Sequence, residues 1–269
     1  MKPLQRLWSV RLKKQALDLG LYGHSDYARF IVLGRSRVGS NLLRGLLNAH
    51  SQVTTYGEIF RDQNCLDWDH TGYFQSRAMR SLVQQDPVKF LDAKVLGRYP
   101  GFIRAVGFKL FYYHARDGAA AAIWPYLRER RDLKIIHLKR RNLLQTHLSR
   151  KRAGLTDRWV NTSGGQDGPV VVGLHYEECL KDFVQTRAWE EEGSRFFDGH
   201  SKLDVEYDRL AGDYQGEAQS IQAFLGVPPQ PVSPSTFQQT RQPLSSVIAN
   251  YAELKERFRG SVWEEFFTE

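Results

Sequence analysis

The stretch FIVLGRSRVGSNLLRGLL, residues 30 to 47, constrains the fold more than any other part of this 269-residue chain. Its opening FIVLG is a short apolar run of the kind that forms a strand buried on both faces, as in parallel sheets covered by helices. Gly34 and Gly39 then bracket a four-residue loop, and from Ser40 onward leucines recur at helical spacing. A strand that turns through glycines into a helix leaves the helix's first N–H groups without partners inside the helix. With the helix dipole behind them, the amides of Val38, Gly39, Ser40, Asn41 and Leu42 are expected to converge on an anion. An ordinary glycine turn between strand and helix is the alternative reading of this segment alone.

The glycine spacing is that of the phosphate loop G-x-x-x-x-G-K-[ST]. There the lysine reaches the β- and γ-phosphates and the hydroxyl binds magnesium. Ser40 and Asn41 stand at those two places, so both groups are missing, and a cation appears earlier instead, as Arg37. Such a loop suits a single phosphate bearing a leaving group, handled without a metal.

Further strands are expected at 52–56, 103–111, 133–138 and 202–207. Helices are expected at 40–49, 72–93 with a break at Pro87, 117–130, 142–153 and 176–197. One more helix is bounded by Asp213 as N-cap and Gly226 as terminating glycine. Strands alternating with helices indicate α/β architecture with right-handed crossovers. The expected fold is therefore a P-loop NTPase-like three-layer domain, a mostly parallel central sheet flanked by helices. Residues 30–269 form that domain, and residues 1–29 a basic amphipathic extension. The N-terminal apolar runs are too short for a signal segment or a membrane span. Cys65 and Cys179, two cysteines far apart, argue against a disulfide framework or a zinc site and for a reducing, cytoplasmic setting. The sequence is silent on oligomeric state.

A second basic site lies in LKIIHLKRRNLLQTHLSRKRA, residues 133 to 153. A strand ends in Lys139, Arg140 and Arg141, and Asn142 can cap the helix that follows. Ser149 lies seven residues after Asn142, close to two helical turns, so the two share a face. Ligands of open parallel sheets bind beyond the carboxyl ends of the strands, which puts this site on the same rim as the glycine loop. Ten basic residues against two acidic ones between Arg128 and Arg152 match an excess of 38 Lys and Arg over 30 Asp and Glu in the whole chain. Much of that run reads as a solvated face; Arg141 with Ser149 reads as a phosphate grip.

Together these motifs resemble the sulfotransferases that use 3′-phosphoadenosine 5′-phosphosulfate (PAPS). RVGS (37–40) is similar to that family's first loop. RNLLQTHLS (141–149) is similar to its arginine-to-serine signature, and TTYGEIF (54–60) to the Gly-Glu that follows strand two in bacterial carbohydrate sulfotransferases. LDVEYDRL (203–210) resembles the family's late strand, and RQPL (241–244) a closing segment of its nodulation-factor branch. The resemblance implies a PAPS co-substrate with one 5′-phosphate, which removes the need for the missing lysine and magnesium hydroxyl. It implies Arg37 and the loop amides at the transferring group, Lys109 near the sulfuryl or bridging oxygen, and Arg141 with Ser149 at the 3′-phosphate. Arg241 would close over that phosphate, unless it is simply a basic loop residue. The catalytic carboxylate carries over to Glu58, whose alternative is a capping or ion-pairing glutamate. Cytosolic aryl and steroid sulfotransferases carry a histidine base where Phe111 stands here, and His114 is the reserve candidate. The implied acceptor is a carbohydrate or glycolipid hydroxyl.

Two rival readings follow from the same residues. A nucleotide kinase or NTPase would need the lysine and the metal-binding hydroxyl that the loop lacks. A basic RNA- or polyanion-binding module could use residues 128–152, but no nucleic-acid recognition motif accompanies them. Trp68, Tyr73, Phe74, Trp159 and the glycine-rich 161–169 segment could wall the acceptor site or fill the core.

Overall fold

The computed structural model describes residues 16–17, 19–62, 66–68, 76–156, 170–234 and 242–268. The start of the N-terminal extension, Cys65, Tyr73, Phe74, Trp159, the 161–169 segment and Arg241 lie outside the described residues.

Five strands form one sheet: β1 (Ala28–Gly34), β2 (Val53–Tyr56), β3 (Ala105–Phe111), β4 (Leu133–Lys139) and β5 (Lys202–Glu206). Their order is β2-β3-β1-β4-β5, and every pairing is parallel. The helices include α1 (Ser40–Ala49), α2 (Arg77–Gln85), α3 (Pro87–Phe90), α4 (Ile123–Glu129) and α5 (Leu143–Thr156). They continue with α6 (Tyr176–Phe196), α7 (Tyr207–Gly212), α8 (Tyr214–Leu225), α9 (Leu244–Val247) and α10 (Tyr251–Phe258). None of the described helices is long and apolar enough to cross a membrane.

The apolar run of β1 explains the three layers. Phe30 and Val32 pack with Leu43, Leu46 and Leu47 of α1 and with Ile221 and Leu225 of α8. Ile31 and Leu33 face the opposite way, onto Val83 of α2, Phe90 of α3 and Ile123 of α4. All four β1 side chains are buried, so neither face of the central strand tolerates a polar residue. Fully burying each is worth roughly 1.5–3 kcal/mol. A third cluster joins Leu144 and Leu148 of α5, Phe183 of α6 and Phe258 of α10 to Phe266 near the C-terminus.

The expected helix over 72–93 divides at Pro87. Asp86 accepts from Lys89 N at 2.9 Å and caps α3, with Pro87 at its first position, where a missing N–H is harmless. A wider π-helical turn then runs through Leu91–Val95. The expected helix at 117–130 opens as a tighter 3-10 turn, Gly118–Ala122, before α4. Asp213 caps α8 through Gly216 N, and Gly226 ends it at φ 78°, both as the sequence indicates. Beyond it, residues 227–234 are without regular structure.

Candidate active site

The loop between β1 and α1 adopts the backbone its glycines anticipate, with one surprise. Gly39 sits at φ 91°, and a Cβ there would come within 2.2 Å of the Tyr207 ring, so both conformation and space demand glycine. Arg37 is also left-handed, at φ 69°, which is strained for a residue with a Cβ and costs about 1–3 kcal/mol. The first helical bond is Leu43 N to Gly39 O at 3.1 Å, which leaves the amides of Ser40, Asn41 and Leu42 as the helix's leading donors.

Sheet register brings the next two residues to this loop. Tyr56 pairs with Phe108, so Glu58, two residues past β2, falls level with the end of β3. Gly57 is clamped there: its N–H donates to Trp68 O at 2.9 Å and its carbonyl accepts from Lys109 N at 3.2 Å. Phe108 and Leu110 occupy the face toward α2 and α4. Lys109 alternates to the other face, toward the first turn of α1. Its Nζ donates to Asn41 Oδ1 at 2.7 Å and to Glu58 Oε1 at 3.1 Å, with the lysine 2% exposed. Asn41, at the position of the missing magnesium hydroxyl, thus holds an ammonium of the chain's own. His114, in the turn after β3, puts Nε2 3.7 Å from Glu58 Oε2. Tyr113, beside it, reaches back to Ser36 of the loop.

The opposite side of the loop is cationic. Arg37 Nε donates to Ser149 Oγ at 2.9 Å, joining the two motifs across 112 positions. The Arg140 guanidinium lies 4.4 Å over the Tyr207 ring, bonds Gln145 Oε1 at 2.6 Å and reaches the Arg37 carbonyl at 3.5 Å. Burial and the neighbouring Arg140 push the Arg37 guanidinium below its ordinary value, a repulsion that an anion at the loop would relieve. Behind the loop, Asp182 of α6 accepts from Arg35 at 2.6 Å, from Arg150, and faces His147 Nδ1 at 3.2 Å. Burial and the charge of Arg35 lower Arg150 to about 10. Asp182 itself is held below the usual range: burial would raise it, but His147, Arg150 and Arg35 outweigh that.

The geometry therefore groups Arg37, Val38, Gly39, Ser40, Asn41, Leu42, Lys109, Glu58 and Ser149 at one rim. Arg141 is placed differently. Its exposed guanidinium pairs with Glu265 Oε2 at 2.7 Å, because the turn into α5 sends consecutive arginines to opposite sides. Asn142 caps α5 as expected, accepting from Gln145 N at 3.1 Å, and its own amide donates to Phe266 O. From the sequence, Arg140 stands in the second basic site with no role assigned to it, and Asp182 is not named. Arg140 could have been found by considering both arginines of the pair, whereas nothing local marks Asp182. Two other histidines bond elsewhere in the fold: His50 bonds Pro228 O and His137 bonds the Tyr112 hydroxyl. Among the described residues no cluster of His, Cys, Asp or Glu is arranged to hold a metal ion.

The parallel α/β sheet thus carries, at one edge, a glycine loop without the lysine, a buried ammonium and an adjacent carboxylate. The chain belongs to the sulfotransferase family: the family model of that description matches residues 29–231. It is 27% identical over 244 residues to Nodulation protein H of Rhizobium tropici, covering 88% of this chain and 92% of the relative. It is 26% identical over 251 residues to Nodulation protein H of Rhizobium meliloti, covering 88% and 94%. The crystal structure of a sulfotransferase from Alicyclobacillus acidocaldarius shares the fold, with a TM-score of 0.51 at 16% identity over 88% of this chain and 94% of that one.

Proposed function

We propose that this sulfotransferase-family chain moves the sulfuryl group of PAPS to a hydroxyl of a carbohydrate or glycolipid, with Glu58 as general base. The observation that carries this reading is the bridge made by the buried Lys109, which joins Asn41 of the glycine loop to Glu58. When bound, PAPS supplies an activated sulfuryl group on a single 5′-phosphate. The loop suits that donor, because Ser40 stands in place of the lysine and Asn41 in place of the metal-binding hydroxyl that a longer phosphate chain engages.

Glu58 takes the proton of the acceptor hydroxyl as the oxygen attacks sulfur in line. Lys109, already between loop and base, neutralises charge on the oxygen joining sulfur to the leaving phosphate. Arg37 and the amides of Val38, Gly39, Ser40, Asn41 and Leu42 stabilise the charge gained by that phosphate. Losing one such donor typically removes ~3 kcal/mol, about a hundredfold in rate. Ser149 and Arg141, with Arg241 from the C-terminal segment, hold the 3′-phosphate. Arg141 must first leave Glu265, an exposed pair that exchanges readily with solvent. The carbohydrate acceptor rests on the likeness of the Gly57-Glu58 corner to bacterial carbohydrate sulfotransferases.

The test is transfer of radiolabelled sulfate from PAPS to a panel of glycans and glycolipids, with a chelator present. Label appearing on a sugar hydroxyl supports the reading. Intact PAPS binding without transfer to any glycan, but with transfer to phenols, would replace the acceptor class. Phosphoryl transfer from magnesium-ATP would overturn the whole assignment.

A further inference from the structure

The turn after β3 carries a histidine whose surroundings determine what it can do. His114 is 3% exposed, and its Nδ1 accepts from the backbone N–H of Phe111 at 3.2 Å. A ring nitrogen that accepts carries no proton, so the neutral ring bears its hydrogen on Nε2. That nitrogen faces Glu58 Oε2 at 3.7 Å, while Lys109 occupies the other oxygen, Oε1. The ring is immobilised between Phe111 at 4.9 Å and Tyr113 at 5.1 Å, and Trp124 Nε1 donates to the His114 carbonyl at 2.8 Å. The charged groups around it are Glu58, Lys109 of β3 and Arg61 of the turn after β2. Burial, Lys109 and Arg61 together hold the imidazole down to about 3, so it stays neutral at working pH.

We propose that His114 is a positioning residue for the base: its neutral Nε2–H grips Oε2 of Glu58 and keeps the carboxylate aimed while Lys109 turns toward the sulfuryl group. The inference rests on the reading of Glu58 as base. Lys109 is shared between Asn41 and Glu58, and developing charge at the donor draws the ammonium away from the carboxylate. A glutamate held by the lysine alone would then be free to rotate. Held also by a neutral donor, it keeps its direction as the ion pair loosens. The 3.7 Å separation closes to a hydrogen bond with a small shift, as catalytic contacts do in loaded complexes. The same geometry removes His114 as the base, since one nitrogen carries a proton and the other is occupied.

Two measurements test this. In histidine-labelled nitrogen NMR of the full chain, His114 should keep Nε2 protonated and Nδ1 bare between about pH 5 and pH 8. Its Nε2 signal should shift in Glu58→Gln. A proton on Nδ1, or an imidazolium appearing in that range, overturns the proposal. In sulfate transfer from PAPS to the fastest glycan of the panel, His114→Ala should lower kcat by roughly 10- to 100-fold. Affinity for adenosine 3′,5′-bisphosphate should stay unchanged. KM for the glycan should change far less than kcat. His114→Gln, whose amide N–H can reach Oε2, should recover most of kcat. A merely structural histidine would lower the folded fraction in both variants and leave kcat per folded molecule unchanged. Wild-type kinetics in His114→Ala, alongside an inactive Glu58→Gln, would sink the positioning role and spare the base. An active Glu58→Gln would instead sink the base itself.

Discussion

The two corners of the proposed donor site are built differently. At the β2–β3 corner, buried Lys109 and His114 meet half-buried Asn41 and Glu58, with side-chain contacts of 2.7, 3.1 and 3.7 Å. At the β4 corner, Ser149 already meets Arg37, but Arg141 is exposed and paired with Glu265. A buried ion pair is costly to break, because it strands a charge away from water. An exposed one exchanges readily with solvent or ligand. The contrast fits the proposed division of labour: chemistry at the better-buried corner, and donor capture at the exposed one.

Breaking the better-buried corner should have the largest effect. Glu58→Gln keeps the shape but removes the base, and kcat should fall by about 10²–10⁴-fold in steady-state sulfate transfer. Near-wild-type turnover would remove Glu58 from the chemistry. Arg37→Ala comes next, with an expected rate loss of about a hundredfold, measured in the same assay at saturating donor. It also loses the Ser149 contact, so weaker donor binding should accompany the slower rate. The exposed corner is sharpened by a pair of changes. Arg141→Ala should weaken adenosine 3′,5′-bisphosphate binding by roughly tenfold. Glu265→Gln should tighten it by up to a few fold by releasing Arg141. Calorimetry showing no change in either would mean that Arg141 never turns to the nucleotide.

The smallest effect expected on function concerns acid stability. Burial holds both His114 and His137 down to about 3, below the ordinary value of 6.5. Between those values the unfolded chain takes up protons that the folded chain refuses. Stability is therefore full above about pH 7 and falls as pH drops through that window. Thermal unfolding should show a falling midpoint from near pH 6.5 downward. A midpoint unchanged between about pH 7 and pH 4 would show that neither ring is held neutral.

Much of the fold is legible because burial on both faces leaves an unambiguous mark. FIVLG and LKIIHL are continuous apolar runs, and both are strands within one or two residues of their expected ends. The loop is equally legible, since Gly34 and Gly39 bracket it and Ser40 begins the helix. Glu58 could be placed on the rim from its position just after β2. What could not be read is side-chain direction across long separations. Arg140 and Arg141 are adjacent, and only the turn into α5 decides that one stacks on Tyr207 while the other meets Glu265. Asp182 holds Arg35 across 147 positions, with nothing in the helical pattern of α6 to announce it. The contact of His114 with Glu58 depends on the β2–β3 register, which apolar patterning alone does not set.

The most direct test of the divided site is calorimetric titration of adenosine 3′,5′-bisphosphate into Arg37→Ala and Glu58→Gln side by side. The account predicts at least about tenfold weaker binding in the first and unchanged binding in the second. Equal losses in both variants would contradict the separation of donor capture from chemistry. Unchanged binding in both, with magnesium-ATP preferred by the wild-type chain, would contradict the PAPS reading altogether.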